Sequence, residues 1–229
     1  MRIVRVIGRG LLGTAAVGFA VLTYAWLTLP DVRPLRTTAP PQTAFMAMRA
    51  AEARREGQPV RQQQRWVGYD HIAPVLRRAV LVSEDAAFFQ HDGLDYDEIR
   101  ASVKDWLTKG EPLRGASTVT QQLAKNLYLS PSRNPVRKLK ELFITRRLEA
   151  VLGKRRILEV YLNVVEWGNG IWGCEAAARA YFGASAADLD PEHAALLAAS
   201  LSGPRIFDPA HPTARLRWKQ EWILRRLGM

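Results

Sequence analysis

Cysteine is nearly missing from this chain: Cys174 is the only one among 229 residues. A lone thiol excludes an internal disulfide framework and a cysteine-based zinc site, so the fold makes no demand on redox compartment. Histidine is scarce too. His71, His91, His193 and His211 show no HxxxH spacing, which argues against a histidine metal centre. Acidic residues number 22 against 33 Lys and Arg, leaving a net charge of +11. That excess points to an anionic partner: nucleic acid, phospholipid headgroups or a phosphorylated substrate. Internal repeats are lacking, and strand patterns are few, with 63–72 (QQRWVGYDHI) the best candidate.

Charge is altogether absent from residues 10–29, which follow a nine-residue start carrying three arginines. About 20 uncharged residues suffice to cross a hydrocarbon core as a helix. A cleavable secretory signal would have an apolar core of only ~7–15 residues and a small-residue cleavage site; here Pro30 and Asp31 follow. The expected division is therefore a basic cytoplasmic N-terminus (1–9), a retained transmembrane anchor (10–29), a proline-rich linker (30–43) and a globular domain (44–229). The arginines stay inside by the positive-inside rule, and Tyr24 and Trp26 suit the outer interface. Everything after residue 30 then lies outside the cytoplasm, so no nucleic-acid partner is expected.

What fills the globular part is helix. Pro74 sits at a first turn with Val75, Leu76, Ala79 and Val80 on one face. Helices are expected over 46–56, 137–152, 155–165 and 175–182, the last closed by Gly183. Asp190-Pro191-Glu192 opens another, with an N-cap acid and a proline in the first turn. The fold class is mainly α.

Four stretches carry candidate chemistry. Glu84 ends an apolar run, in the last turn of its helix, where the helix dipole disfavours an anion by a few tenths to ~1 kcal/mol. Phe88 and Phe89 nearby would desolvate it further, and both effects favour proton uptake by a general base or acid. The plain alternative is a solvated helix end. Gly115, Ser117, Thr118, Thr120, Gln121 and Gln122 crowd neutral donors into a span able to wrap sugar or phosphate oxygens, or simply to cap a helix. Lys125 follows one turn later, pointing a cation the same way. Arg133, Arg137 and Lys138 with Lys125 form either a diphosphate cradle or, through Glu141, a surface ion-pair cluster. The stretch 133–156 holds nine Lys/Arg against Glu141 and Glu149. Gly168, Gly170 and Gly173 match GxGxxG, but the preceding run reads as helix and no strand follows, so they are read as a tight turn, not a dinucleotide site.

Taken in order, these pieces resemble a known set of five motifs. Glu84-Asp85-x-x-Phe88-x-x-His91-x-Gly93 is similar to the first, Gly115-x-Ser117-Thr118-x-Thr120-Gln121-Gln122 to the second, and Arg137-Lys138-x-x-Glu141 to the third. Ile157-Leu158-Glu159-x-Tyr161-Leu162-Asn163 resembles the fourth. Gly168-x-Gly170-x-x-Gly173, continuing through Ala177, Ala178 and Tyr181-Phe182-Gly183, resembles the fifth. The set resembles the peptidoglycan glycosyltransferases of glycosyltransferase family 51, over about residues 66–204. Ala184 departs from the pattern, since a lysine often follows Tyr-Phe-Gly. The chain has none of the SxxK, SDN or KTG motifs of a transpeptidase domain, so it resembles the monofunctional branch of the family.

The resemblance implies a lysozyme-like helical lobe and a smaller membrane-proximal jaw lobe, with a cleft between them. It implies an enzyme, a hexosyltransferase that joins lipid-linked glycan to lipid II with release of undecaprenyl diphosphate. Glu84 would be the base and Glu141 the second acid. Ser117, Thr118, Gln121, Gln122, Lys125, Asn126, Arg133, Arg137 and Lys138 would hold sugar and diphosphate oxygens. Asp85, Phe88, His91, Gly93, Gly115, Glu159, Asn163, Gly168, Gly170 and Gly173 would support the site. No cofactor is obligatory, with Mg2+ or Mn2+ at the diphosphate as an option. The expected location is the bacterial inner membrane, single-pass, with the catalytic domain periplasmic and cell-wall synthase or divisome proteins as candidate partners. Two rivals compete: a lysozyme-like lytic glycosidase, which needs no diphosphate cradle, and a non-catalytic membrane-tethered basic protein, which leaves the Ser/Thr/Gln loop unexplained.

Overall fold

Helix supplies nearly all of the regular structure. The structure, a computed structural model, describes residues 2–110, 117–130 and 134–229, with side chains described from residue 13 onward except at 15. Among them are ten α-helices: α1 (Arg2–Leu27), α2 (Ala44–Arg55), α3 (Pro74–Glu84), α4 (Tyr96–Lys109), α5 (Val119–Tyr128), α6 (Pro135–Val151), α7 (Lys154–Val164), α8 (Cys174–Phe182), α9 (Pro191–Ser200) and α10 (Ala214–Leu227). The mainly helical reading agrees with this.

The core forms around α9 and α7. Asp190 accepts a hydrogen bond from the His193 N–H at 2.8 Å and Pro191 opens α9. From there every residue between Ala194 and Ser200 is buried. A helix apolar on all sides has to lie inside, and the alanines at 194, 195, 198 and 199 let α3 and α10 approach it closely. In α7, Ile157, Leu158, Val160, Tyr161, Leu162 and Val164 are likewise buried. Helix α5 packs between α6 and α7, joining the two halves of the core.

The strand content is smaller than 63–72 suggests. Only Gln63–Gln64 (β1) is strand, pairing parallel with Ile171–Trp172 (β3), which pairs antiparallel with Glu166–Gly168 (β2). The segment leaves the sheet at Trp66 because Asn163 takes over as its partner. The Asn163 side chain accepts from the Val67 N–H and donates to the Val67 carbonyl, both at 2.9 Å. One amide thus satisfies both backbone groups of a residue, as a neighbouring strand would. The GxGxxG stretch forms the β2–β3 hairpin, as the tight-turn reading expects, although Glu166 and Trp167, at the end of the run read as helix, are strand.

One N-terminal expectation needs revision. Segment 30–43 is no free linker: Val32 and Leu35 are buried, a 3-10 turn spans Arg33–Arg36, and the Leu35 carbonyl accepts from Arg156 Nε at 2.7 Å. Its prolines hide two apolar anchors that the composition outweighs. The uncharged run is helical within α1, whose end rests on α6 through Trp26 edge-on to Phe143 at 6.0 Å. Among the described residues no helix is long and apolar enough to cross a membrane, and part of the run, 10–12 and 15, lies outside the described side chains.

Gly173 is where the hairpin meets α8. Its φ is +83°, and a Cβ there would lie 2.7 Å from the Asn163 carbonyl oxygen, which is backbone and cannot swing away. Gly173→Ala should therefore cost roughly 2–4 kcal/mol, the left-handed penalty plus overpacking. Urea denaturation is the check, and a loss below about 0.5 kcal/mol, as at an ordinary surface site, would remove the close-approach argument.

Candidate active site

Helix α3 delivers Glu84 to a cleft. Leu76, Ala79 and Val80 are buried on its inner face, and Glu84 falls in the last turn with its side chain 14% exposed. Contrary to the expectation from Phe88 and Phe89, the groups that reach the carboxylate are polar. Ser83 Oγ donates to Oε1 at 3.1 Å and Gln122 Nε2 donates to Oε2 at 3.0 Å. Lys219 Nζ lies 4.0 Å from Oε1. Phe88 is buried instead against Phe89 and His91, and Phe89 is mostly exposed.

Asp85 turns the other way, into the protein. Its Oδ1 pairs with His91 Nε2 at 2.9 Å, and its Oδ2 accepts from the Val119 N–H at 2.9 Å. His91 Nδ1 accepts from the Gly93 N–H at 3.1 Å, which leaves the ring proton on Nε2, facing Asp85. Gly93 sits so close to α6 that a Cβ would be 2.7 Å from Thr145 Cγ2. Its carbonyl accepts from Thr118 Oγ1 at 2.7 Å. This chain of bonds ties the α3 exit to the start of α5, and the carboxylate faces the positive end of the α5 dipole.

Helix α5 builds the cleft floor. Thr118 and Gln121 form a reciprocal capping box. Val119, Leu123, Ala124 and Leu127 point into the core. Gln122 and Lys125, three residues apart, share the opposite face. The Tyr161 hydroxyl donates to Gln122 Oε1 at 2.9 Å, which fixes the amide so that its NH2 faces Glu84. Burial, with the charges of Glu84 and Asp85 adding to it, pushes the Tyr161 hydroxyl well above its ordinary range, so it stays a donor.

The third motif faces the same floor. Glu141 is only 3% exposed, accepts from Arg137 Nη1 at 2.7 Å and pairs with Lys138 Nζ. It is no surface ion pair. Among the described residues Arg137 Nε is buried with no hydrogen-bond partner, a donor left over for an anion. Ser117, Gln121, Gln122, Lys125, Arg137, Lys138 and Glu141 line one depression of about 100 Å³. Glu84, Ser117 and Thr118 help line an adjoining one of about 330 Å³. Ser117 borders both. Burial pushes the Lys125 amine below its ordinary value; Glu141 opposes this, Arg137 and Lys138 add to it, and Glu84 opposes it. Lys125 thus feels both carboxylates.

Several predicted ligands are committed to the scaffold. The Thr118 hydroxyl and the Gln121 amide oxygen serve the capping box, and Asn126 Nδ2 donates to the Gln122 carbonyl at 2.9 Å. Glu159 pairs with Arg156, and Gly168, Gly170 and Asn163 serve the hairpin and its neighbour. Gly115 and Arg133 lie outside the described residues. Among the described residues one cluster, Asp85, His91 and Asp95, has metal-ligating atoms close enough to share an ion. Those of Asp85 and His91 are spent in the brace, and Asp95 accepts from the Glu98 N–H at 2.8 Å. Sequence reasoning missed Lys219 beside Glu84 and the Tyr161 bond to Gln122. Asp85→Ala should cost roughly 2–4 kcal/mol and speed hydrogen exchange at the Val119 amide. Unfolding free energy and exchange rates check it; unchanged protection at Val119 would count against the brace.

Comparison with known proteins places this sequence in a family. A family model described as "Transglycosylase" matches residues 51–228. A protein of Nitrosospira multiformis named "Biosynthetic peptidoglycan transglycosylase" is 47% identical over 189 residues, covering 82% of each chain. Proteins of the same name from Chromobacterium violaceum and from Azoarcus sp. strain BH72 are each 44% identical. They cover 93% and 95% of this chain, and 94% and 96% of their own. The chain belongs to the transglycosylase family, the peptidoglycan glycosyltransferases.

Proposed function

We propose that this chain polymerises glycan strands from lipid II by inverting transfer at Glu84. The lipid-linked glycan is the donor and a new lipid II the acceptor. Glu84 takes the proton from the acceptor GlcNAc 4-hydroxyl as that oxygen attacks C1 of the donor MurNAc. The C1–O bond to the diphosphate breaks on the opposite face, a β-1,4 bond forms, and undecaprenyl diphosphate leaves with the electron pair. The observation that carries the reading is the α5 floor: Gln122 donates to Glu84 while lining the same depression as Lys125, Arg137, Lys138 and Glu141. A base and an anion cradle thus adjoin. Hydrolysis of finished glycan would have no use for the cradle.

Each group then has a task. Lys125, Arg137 and Lys138 neutralise the departing diphosphate, aided by the spare Arg137 Nε donor, and fixed charges of this kind supply much of catalysis. Glu141 keeps Arg137 and Lys138 in place. Ser117 and Gln122 contact sugar or phosphate oxygens. Both Glu141 oxygens are engaged by cations, so these residues form no ready site for Mg2+ or Mn2+, and no step here uses a metal.

The bilayer fits the same chemistry, because both substrates carry lipid tails. We assign residues 10–29 as a single-pass anchor with the catalytic domain on the periplasmic side. The helical body around α9 corresponds to the lysozyme-like lobe, and α4 belongs to the smaller jaw lobe. Val103, Trp106 and Leu107 on α4 are exposed, Leu107 by 69%, which suits a helix lying in the interface and not core packing. Cell-wall synthase or divisome proteins would be its neighbours there.

Glu84→Gln should keep the unfolding free energy and lipid II binding while lowering polymerisation roughly 10²–10⁴-fold, the contribution of a general base. Gel analysis of products from labelled lipid II reads this directly. Near-normal chain growth by the variant would remove Glu84 from the mechanism, and cleavage of purified glycan in place of lipid II polymerisation would favour a lytic enzyme.

A further inference from the structure

Helix α10 carries an ion where its packing calls for an apolar side chain. Leu216, Ile223 and Leu227 are its buried residues and face α9 and α3. Position 219, three residues after 216 and four before 223, lies on that same stripe. It is a lysine. Its side chain is only 24% exposed, and Nζ comes within 4.0 Å of Glu84 Oε1. Placing an ammonium on a core-facing stripe costs desolvation that a surface position would avoid, so the placement has to be explained by what the charge does there.

Glu84 supplies the reason. Its carboxylate sits at the carbonyl end of α3, where the helix dipole opposes a negative charge. The two hydrogen bonds it accepts, from Ser83 and Gln122, come from neutral donors. Lys219 has the nearest cation to it among the described ion pairs. We propose that Lys219 is a positioning residue for Glu84: its ammonium, held on the inner stripe of α10, offsets the α3 dipole and keeps the carboxylate turned toward the cleft. The inference rests on the reading of Glu84 as the base.

The surrounding charges fit that task. Arg215 on α10, Lys125 on α5 and Tyr161 on α7 are titratable groups coupled to this pair, and Asp85 acts with Glu84 on Tyr161. Of the two lysines, Lys125 also feels Glu141, Arg137 and Lys138, which ties it to the diphosphate side. Among the described residues the charges acting on Lys219 are Glu84 and Arg215, so its effect falls on the base. Burial pushes the Lys219 amine below its ordinary value, against the pull of Glu84 and with a push from Arg215. The sign follows: the cation is complete at lower pH and fades as pH rises, sooner than an exposed lysine would.

Lys219→Met keeps the aliphatic stem on the stripe and removes the charge; Lys219→Arg keeps the charge. The Met variant of the full chain should lose at least about tenfold in kcat for lipid II polymerisation, as expected of a fixed charge at the reacting group. KM should change little, and the urea midpoint should not fall. Lys219→Arg should restore most of the turnover. The ratio of native to Met-variant kcat should shrink as pH rises, because the native protein then loses the same charge. Lys219→Gln serves as the second variant if the Met protein does not fold. Native kcat in the Met or Gln variant, or an Arg variant as slow as the Met one, would overturn the proposal. Should Glu84→Gln lose polymerisation while Lys219→Met does not, only this inference fails; should Glu84→Gln polymerise normally, the base reading fails and this one with it.

Discussion

A negative charge at the carbonyl end of a helix is electrostatically misplaced, and the body of this enzyme is organised to keep one there. Helix α3 aims its backbone dipole against the carboxylate of Glu84. Relief comes from Ser83 on the same helix, Gln122 on α5 and Lys219 on α10. The last two lie 38 and more residues away in sequence, so the site exists only once α3, α5, α9 and α10 have packed. Stability and function are coupled at this point, because the core around α9 holds the partners that Glu84 needs.

Helix α5 is the second element on which everything converges. Its start is held three ways: by the Thr118–Gln121 capping box, by the Thr118 hydroxyl on Gly93, and by Asp85 on the Val119 N–H. A side-chain cap contributes about 1 kcal/mol, and a charged acceptor at the first turn adds to that. One face is buried core and the other is the cleft floor. A helix this short tolerates no rotation without swapping the two, since a turn of 100° would bury Lys125 and expose Leu123. Rigidity of the floor is thus a consequence of amphipathic packing.

In the proposed mechanism the excess positive charge finds its use in the same place. Arg137 and Lys138 crowd together because a nearly buried Glu141 neutralises part of their mutual repulsion. Removing an ion pair member from a buried site leaves an uncompensated charge, so Glu141 matters to the cradle even without touching a substrate. The cradle retains net positive charge from Lys125 and the two motif cations, and a leaving diphosphate would complete the balance.

Much of the architecture was legible from local chemistry. Pro74, Asp190-Pro191 and Gly183 marked helix limits because caps and imino acids act on their own neighbours, whatever the rest of the chain does. The apolar period of α3 likewise announced a helix with one packed face, and the motif order pointed to the family. Other features had no local signal. Val32 and Leu35 look like spacers among prolines until α7 offers them Arg156 and a core to enter. The strand after Gln64 yields to Asn163, which lies 96 residues from Val67. Thr118 and Gln121 carry the same letters whether they bind sugar or cap a helix, and only their geometry assigns them to the cap. Lys219 sits on an apolar stripe, a pattern readable in the sequence, but its partner 135 positions earlier was not, since the meaning of a buried charge depends on what lies across the gap. Sequence by itself determined the helices, their ends and the residue types available for chemistry, because those follow from interactions within a turn or two. Tertiary structure alone decided which of those residues face one another, because long-range pairing is set by how the helices pack.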